Sequence, residues 1–264
     1  MSYIFPQELK NTAFKAANAA KAITLKYFRN IETIDSKNTD HGWDPVTEAD
    51  RRAEQIIRDI IEADFPNHAI IGEEYANKNT DSDYAWIIDP IDGTRAFIAG
   101  LPIWGTLIGV LYKNKPIFGL MSQPFVGDIF YGDCQTAFLQ NNNHTQKLNT
   151  TDTAHIHNAR MFCTTPDMFT TEQAENQFKA LQVDCKTIRY GTDCYGYGAL
   201  AAGWGDLVFE SDVHAYDIFP MIPIIQGAGG IVTAPDGLDF KTGSVIASGN
   251  AILHNKALDL FKNL

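Results

Sequence analysis

The stretch Trp86-Ile87-Ile88-Asp89-Pro90-Ile91-Asp92-Gly93-Thr94 holds the strongest structural and chemical signals in this chain of 264 residues. Its first three residues predict a short buried β-strand that ends at Asp89. Pro90 restricts the backbone and predicts a sharp turn, so that Asp89 and Asp92 converge. Gly93 and the residue after it predict the start of a helix, where unpaired N–H groups bind phosphate oxygens. The stretch therefore predicts a site at which carboxylates and an anion meet.

Two further acidic clusters lie beside predicted elements. Glu73 and Glu74 follow the short strand Ile70-Ile71, and Tyr216-Asp217 stands at the start of a predicted helix. Taken singly, surface acids explain the first cluster and a helix N-cap explains the second. Open α/β sheets bind ligands at strand ends, and several carboxylates in one cleft repel one another unless cations bridge them. Together with the first stretch, the clusters predict a Mg²⁺ site, because Mg²⁺ prefers hard oxygen ligands.

The formal net charge of −11 restricts the classes of partner. Such an acidic surface repels nucleic acids and anionic membranes, so neither is expected. It also repels a phosphorylated substrate, which predicts that bound cations supply local positive charge. The four cysteines include no C-x-x-C pair and predict reduced, mostly buried thiols. The first residues, Met-Ser-Tyr-Ile-Phe-Pro, lack a basic region followed by an apolar run, so a cytoplasmic protein is expected.

Helical and strand periodicities alternate along the whole chain. They predict helices at 6–28, from 47 onwards, and at 172–181, 195–202, 217–227 and 255–264. They predict strands at 70–71, 86–88, 103–112, 115–121, 128–132, 159–164, 186–190, 206–210, 231–233 and 244–247. Thr47 and Asp50 have the spacing of a capping box. Polar residues 30–43 predict a loop or a ragged strand, and Pro223 predicts a kink in its helix.

This mixture of elements predicts a layered α/β fold. No repeat and no Pro/Ser-rich linker divides the chain. We therefore expect a single domain over 1–264, with two lobes of roughly 1–150 and 151–264 and a cleft between them.

Four short motifs are spread over nearly the whole chain. They are Val46-Thr47-Glu48-Ala49-Asp50, Gly72-Glu73-Glu74, Asp89 to Thr94, and Tyr216-Asp217 followed by Gly227-Ala228-Gly229-Gly230. Together they resemble the inositol monophosphatase superfamily of metal-dependent phosphatases, with Tyr where the last motif usually has Trp. The resemblance implies an αβαβα sandwich of two lobes, two to three Mg²⁺ ions in the cleft, a small-molecule phosphate ester as substrate, and a homodimer.

The resemblance also implies a role for individual residues. The implied metal ligands are Glu73, Asp89 and the Ile91 carbonyl for a first Mg²⁺, and Asp89, Asp92 and Asp217 for a second. A weaker third site would use Glu73, with Asp50 nearby. Glu73 and Thr94 would position and deprotonate the attacking water, with Asp50 as a further catalytic residue. The implied substrate contacts are Asp92, Gly93, Thr94, Arg95, Asp193, Glu210 and Asp217.

The residues around these motifs favour one substrate class. Gly191-Thr192-Asp193, and Glu210 seven residues before Asp217, resemble the histidinol-phosphate phosphatases of the superfamily more than its inositol phosphatases. Histidinol carries an ammonium group and an imidazole, and both can pair with the carboxylates of Asp193 and Glu210. Inositol is a neutral polyol and gains less from an added carboxylate. An alternative role for Asp193 is the N-cap of the helix that follows it.

Other functions stay open at this point. An inositol-1-monophosphatase or a broad sugar-phosphate phosphatase is the alternative within the same chemistry. A nucleoside 3′-phosphate or bisphosphate phosphatase is less favoured, because the sequence has no extra basic cluster for a second phosphate. A catalytically inactive metal- or phosphate-binding regulator is the alternative from another class, and the intact acidic residues together with Thr94 oppose it.

Overall fold

The first part of the chain forms a seven-stranded sheet with helices on one face. The structure is a computed structural model that describes residues 6–31, 33–36, 45–262 and 264, so residues 32 and 37–43 of the predicted loop lie outside the described residues. The helices are α1 (Gln7–Tyr27), α2 (Glu48–Asp64) and α3 (Thr94–Ile98). The strands are β1 (Asp35–Ser36), β2 (Pro45–Val46), β3 (Ala69–Gly72), β4 (Tyr84–Asp92), β5 (Gly105–Tyr112), β6 (Lys115–Gln123), β7 (Asp128–Gly132), β8 (Ala137–Asn141) and β9 (His144–Lys147).

Strands β3 to β9 follow one another across this sheet in chain order, while β1 and β2 pair separately. Strand β3 is parallel to β4, and the other neighbours are antiparallel. Because side chains alternate along a strand, Leu107 and Ile108 of β5 face opposite sides of the sheet. Ile108 packs in the cluster formed with α1 and α2, and Leu107 belongs to the cluster on the other face.

The helices of this part begin where their sequences predict. The Thr47 hydroxyl accepts a hydrogen bond from the N–H of Ala49, and the Asp50 carboxylate accepts one from the N–H of Thr47 at 2.8 Å. This confirms the capping box at the start of α2. Among the helices that the structure describes, none is both long enough and apolar enough to cross a bilayer.

The second part of the chain forms a five-stranded sheet. Its helices are α4 (Glu172–Asp184), α5 (Asp193–Ala201), α6 (Ala215–Ile218), α7 (Met221–Gly227) and α8 (Ala251–Phe261). Its strands are β10 (Arg160–Cys163), β11 (Thr187–Tyr190), β12 (Leu207–Val213), β13 (Ile231–Thr233) and β14 (Gly243–Ser248). The strand order is β11-β10-β12-β14-β13, with β10 parallel to β11 and β12 and the remaining pairs antiparallel.

The two sheets and their helices stack in five layers. Helices α1 and α2 cover the outer face of the seven-stranded sheet. Helices α5 and α7 lie between the sheets, since one buried cluster joins Leu200 and Ile224 to Met121 of the first sheet and Val245 of the second. Helices α4 and α8 cover the outer face of the second sheet. The predicted αβαβα arrangement is confirmed.

Strand β4 corrects the prediction for its motif. The strand does not end at Asp89 but continues to Asp92. Pro90 makes no sharp turn; instead the pairing with β5 shifts register between Asp89 and Asp92, so the motif forms a β-bulge. A bulge is one of the few places where a sheet tolerates proline, because the ladder there needs no N–H donor. The bulge lets the side chains of Asp89 and Asp92 point from the same strand toward one site.

The predicted helix at 217–227 is two short helices, α6 and α7. The break falls at Phe219-Pro220, where Pro220 is the N-cap of α7. The predicted kink at Pro223 is therefore wrong, because Pro223 lies in the first turn of α7, where N–H groups have no helical acceptor. Strands β8 and β9 had not been predicted. Helices α5 and α8 both begin earlier than predicted, at Asp193 and Ala251.

A row of three glycines lies under the start of α7. Gly109, Gly119 and Gly132 pair with one another across β5, β6 and β7. A Cβ atom added at Gly119 would lie 1.7 Å from the carbonyl oxygen of Pro220, and one at Gly132 would lie 2.7 Å from that of Pro223. The missing side chains thus allow α7, and α6 before it, to lie directly on the sheet.

Candidate active site

A cavity of about 380 Å³ opens where the ends of β3 and β4 meet β12 and the first residues of α3, α5 and α6. Six carboxylates line it, from Glu73, Asp89, Asp92, Asp193, Asp212 and Asp217. The Arg95 guanidinium lines the same cavity. The structure thus brings most of the predicted site residues together, although they are distant in sequence.

Three of these carboxylates form a tight cluster. Oxygens of Asp89, Asp92 and Asp217 lie within 4.8 Å of one another. Burial, with a smaller contribution from the charge of Glu73, raises the pKa of Asp92 to about 6. Burial and the charges of neighbouring carboxylates raise the pKa values of Asp89 and Asp217 well above the ordinary value. A cation placed among the three would reverse this effect, because opposite charge favours the ionised form.

Backbone N–H groups fix the orientation of each carboxylate in the cluster. Asp89 accepts from the N–H of Ile91 at 2.9 Å. Asp92 accepts from the N–H of Cys194 at 2.6 Å, which connects β4 to the first turn of α5. Asp217 accepts from the N–H of His214 at 2.8 Å in a capping box; the N-cap of α6 is His214, so Asp217 is the third residue of the helix and not its N-cap. The cluster is therefore preorganised.

The donor set suits a hard divalent cation. Besides the three aspartates, Glu73 and Ile91 line the cavity. The Ile91 carbonyl accepts the Thr94 hydroxyl at 3.0 Å, and a carbonyl oxygen has a second lone pair for a metal. Oxygen donors of this kind match Mg²⁺, which is bound in proteins by carboxylates, carbonyls and waters.

Asp50 lies outside the cavity lining. It is 1% exposed, and its carboxylate accepts both the N–H and the hydroxyl of Thr47, at 2.8 and 2.6 Å. Burial, with a smaller contribution from the charge of Glu73, raises its pKa to about 6. The charge of Glu73 thus contributes to the raised pKa of Asp50, while the hydrogen bonds of Asp50 to Thr47 stabilise the start of α2.

Asp193 is the first residue of α5 and lines the cavity opposite β4. Its φ of 43° is left-handed, and a Cβ added at Gly93 would lie 3.0 Å from the Asp193 Cβ. Burial and the charges of Asp92 and Glu210 raise the Asp193 pKa to about 8, against the attraction of Arg95. The N-cap position belongs to Thr192, without a side-chain bond, so this structure does not place Asp193 as the cap.

Glu210 lies behind the cavity wall rather than in it. Its carboxylate accepts the hydroxyl of Thr164 at 2.6 Å and the hydroxyl of Tyr197 at 2.7 Å. The carboxylate of β12 that lines the cavity is Asp212, which sits on a bulge with a φ of 58°. The sequence pattern gave no signal for Asp212, because a bulge cannot be located from alternation alone.

An aromatic pair also lines the cavity. The rings of His214 and Tyr216 stack with centroids 5.2 Å apart and an interplanar angle of 25°. The sequence indicated an aromatic residue before Asp217 but did not predict the stacking.

Comparison with known proteins agrees with this geometry. The sequence profile of the Inositol monophosphatase family matches residues 6–264. The chain is 37% identical over 260 residues to the "Bifunctional phosphatase IMPL2, chloroplastic" of Arabidopsis thaliana, covering 92% of this chain and 72% of that protein. It is 31% identical over 219 residues to the "Histidinol-phosphatase" of Chlorobaculum parvum, covering 83% and 82%.

The solved structures include an inositol monophosphatase from Zymomonas mobilis with the same fold. The TM-score is 0.87 at 32% identity, over 98% of this chain and 100% of that one. The profile match, the two relatives and the shared five-layer architecture all point to one family of phosphatases. The chain belongs to the inositol monophosphatase family.

Proposed function

We propose that this phosphatase uses Mg²⁺ to hydrolyse histidinol phosphate to histidinol and phosphate. The observation that carries the proposal is the charge of the cavity, in which six carboxylates face one guanidinium among the described lining residues. Two divalent cations would offset four of the negative charges of the carboxylates, but the phosphate group of the substrate adds about two negative charges. The remaining negative charge favours an alcohol part that is cationic, as histidinol is.

One of the relatives supports the same choice. One is named a histidinol-phosphatase, and the relative from Arabidopsis thaliana is named a bifunctional phosphatase. The likeness to the inositol monophosphatase of Zymomonas mobilis favours inositol 1-phosphate as the second candidate substrate. An inactive regulator is disfavoured, because Glu73 and Thr94, which would act on the attacking water, line the cavity together with the acidic cluster. The proposal includes a cytoplasmic homodimer, on family resemblance.

The proposed metal ligands are the oxygens already described. Asp89, Asp92 and Asp217 would hold one cation, and Glu73, Asp89 and the Ile91 carbonyl another. Bound Mg²⁺ supplies positive charge that stabilises the phosphoryl oxygens and lowers the pKa of a coordinated water. Asp92 and Asp217 share their oxygens with backbone donors, so their orientation does not depend on the metal.

Side chains around the cluster would position the attacking water, transfer its proton and bind the substrate. The Thr94 hydroxyl donates to the Ile91 carbonyl, so its oxygen is available to accept a hydrogen bond from the attacking water. Glu73 takes a proton from that water as the water oxygen bonds to phosphorus. The bond between phosphorus and the substrate oxygen breaks, the released alcohol oxygen takes up a proton from a water molecule, and Glu73 returns its proton to the solvent. The N–H groups of Gly93 and Thr94 and the Arg95 guanidinium contact the phosphate, and Asp193 pairs with the ammonium group.

A phosphate-release assay tests the proposal. The purified chain is given histidinol phosphate, inositol 1-phosphate or a sugar phosphate, each with Mg²⁺ or with a chelator. We expect Mg²⁺-dependent release with the highest kcat/KM for histidinol phosphate. A higher kcat/KM for inositol 1-phosphate would overturn the substrate while leaving the metal mechanism in place. Equal release in the chelator would overturn the metal mechanism itself.

A further inference from the structure

A buried ion pair lies behind the loop that carries Glu73. It is formed within α2 by Glu54 and Arg58, whose Oε1 and Nε atoms are 2.7 Å apart. Their side chains are 0% and 7% exposed. Both lie on the same face of α2 as Asp50, because residues spaced by four share a face of a helix.

Glu54 holds the backbone on both sides of Glu73. Its Oε2 accepts the N–H of Glu74 at 2.7 Å, and its Oε1 accepts the N–H of Tyr75 at 3.3 Å. On the other side, a Cβ added at Gly72 would lie 2.1 Å from Oε1, so the backbone there runs directly against the carboxylate. The residue between these two contacts is Glu73, which lines the cavity.

Arg58 closes the same loop from its far end. Its Nη2 donates to the carbonyl of Tyr75 at 3.0 Å, and its Nη1 donates to the carbonyl of Ala76 at 3.2 Å. With Nε on Glu54, the guanidinium bonds one carboxylate and two carbonyls. A lysine at this position could keep the charge beside Glu54, but its single ammonium could not reproduce this fork of donors.

Stability alone explains such a pair poorly. Two charges pay a large desolvation cost in the interior, and well-packed apolar residues often replace a buried ion pair without loss. Outside α2, Glu54 and Arg58 form hydrogen bonds with the backbone of residues 74–76, which directly follow Glu73. We propose that Glu54 and Arg58 are positioning residues that fix the Glu73 loop for cation binding and catalysis. The inference rests on the role proposed for Glu73.

Two variants and one control test the inference. Glu54→Gln keeps the shape but removes the charge and turns an acceptor into a donor facing the two N–H groups. Arg58→Lys keeps the charge but loses the donors to Tyr75 and Ala76. The control is Glu62→Gln, which removes an exposed ion pair from the same helix, between Glu62 and Lys78 at 2.6 Å.

Three measurements are made well below the unfolding temperature of each variant. They are amide hydrogen exchange of residues 72–77, Mn²⁺ binding followed by electron paramagnetic resonance, and steady-state kinetics with histidinol phosphate and Mg²⁺. Partners that orient a metal ligand typically change metal affinity or activity by ~10- to 100-fold when they are mutated. We expect both variants to exchange faster in this loop, to bind Mn²⁺ more weakly and to lose kcat within that range, with KM little changed.

The control should match the unmodified protein in all three measurements. If both variants are less stable but bind Mn²⁺ and turn over normally, the pair is merely structural and the inference is wrong. If Arg58→Lys matches the unmodified protein in exchange and Mn²⁺ affinity, the fork of donors has no positioning role, and this holds even if Glu54→Gln fails to fold. Exchange and Mn²⁺ binding do not need turnover, so they remain decisive if histidinol phosphate proves not to be the substrate.

Discussion

Replacing Asp193 with asparagine should separate charge recognition from shape at the alcohol end of the cavity. Asparagine fills the same volume beside Gly93 and tolerates the left-handed φ of 43° about as well as aspartate does. The start of α5 should therefore survive, and the main loss is the carboxylate, which a cationic substrate keeps ionised although burial raises its pKa to about 8 in the empty cavity. A hydrogen bond to a charged group contributes about 1.5–3 kcal/mol. For histidinol phosphate, Asp193→Asn should therefore lower kcat/KM by about 10- to 150-fold.

The assay compares kcat/KM for histidinol phosphate and inositol 1-phosphate in both proteins. Inositol 1-phosphate carries no cation on its alcohol part, so its kcat/KM should change little. Asp59→Asn serves as the control for net charge, because Asp59 is an exposed residue of α2 that bonds only to Gln55 among the described residues. If Asp193→Asn lowers kcat/KM equally for the two substrates, the residue acts through the structure of α5, and the charge argument for the substrate is refuted.

Three further predictions concern the metal cluster, the water and a buried histidine. Asp89→Asn and Asp92→Asn should each abolish Mg²⁺-dependent phosphate release and weaken Mn²⁺ binding, and full turnover of either in a chelator would contradict the ligand assignment. Thr94→Ala should lower kcat by ~10²- to 10⁴-fold with little change in KM, because positioning of the water acts in the transition state; a change in KM alone would restrict Thr94 to phosphate binding. His254 is 2% exposed, and burial lowers its pKa to about 4. Its neutral form stabilises the fold above pH 6.5, and that contribution is lost as pH falls toward 4. Urea unfolding should show the unmodified protein losing about 3 kcal/mol more than His254→Gln between pH 7 and pH 4, and parallel pH profiles would refute this.

The acidic cluster could be predicted from sequence because its chemistry is local to short motifs. Asp89 and Asp92 stand in one stretch, and apolar strands with acidic ends indicate a binding edge. The position of Asp217 beside them was not derivable from spacing, since more than a hundred residues separate it from β4, and it was placed by family resemblance. The layered fold could be predicted because segments with helical and with strand periodicity alternate along the chain. The spacing of the apolar residues in each segment indicates which face is buried.

The predictions for individual residues of β4 and β12 were wrong because both strands contain a bulge. In a regular strand Glu210 and Asp212 would face the same side, because side chains repeat every two residues. The register shift in β12 separates them: Glu210 bonds to Tyr197 in the interior, and Asp212 faces the cavity. The bulge at Pro90 likewise replaces the predicted turn. Both departures depend on pairing with another strand, which the local sequence does not record.

The row of Gly109, Gly119 and Gly132 affects how this protein can diverge. Each position lies on a strand outside the active site, where alanine would ordinarily be judged a mild replacement. At Gly119 even one methyl group would meet the backbone of Pro220, three residues after Asp217. Backbone cannot move aside as a flexible side chain does, so a larger residue at 119 would displace the element that carries Asp217, a proposed metal ligand. Position 119 is thus expected to stay glycine whichever residue stands at 220, because the atom that a side chain would meet is a backbone carbonyl.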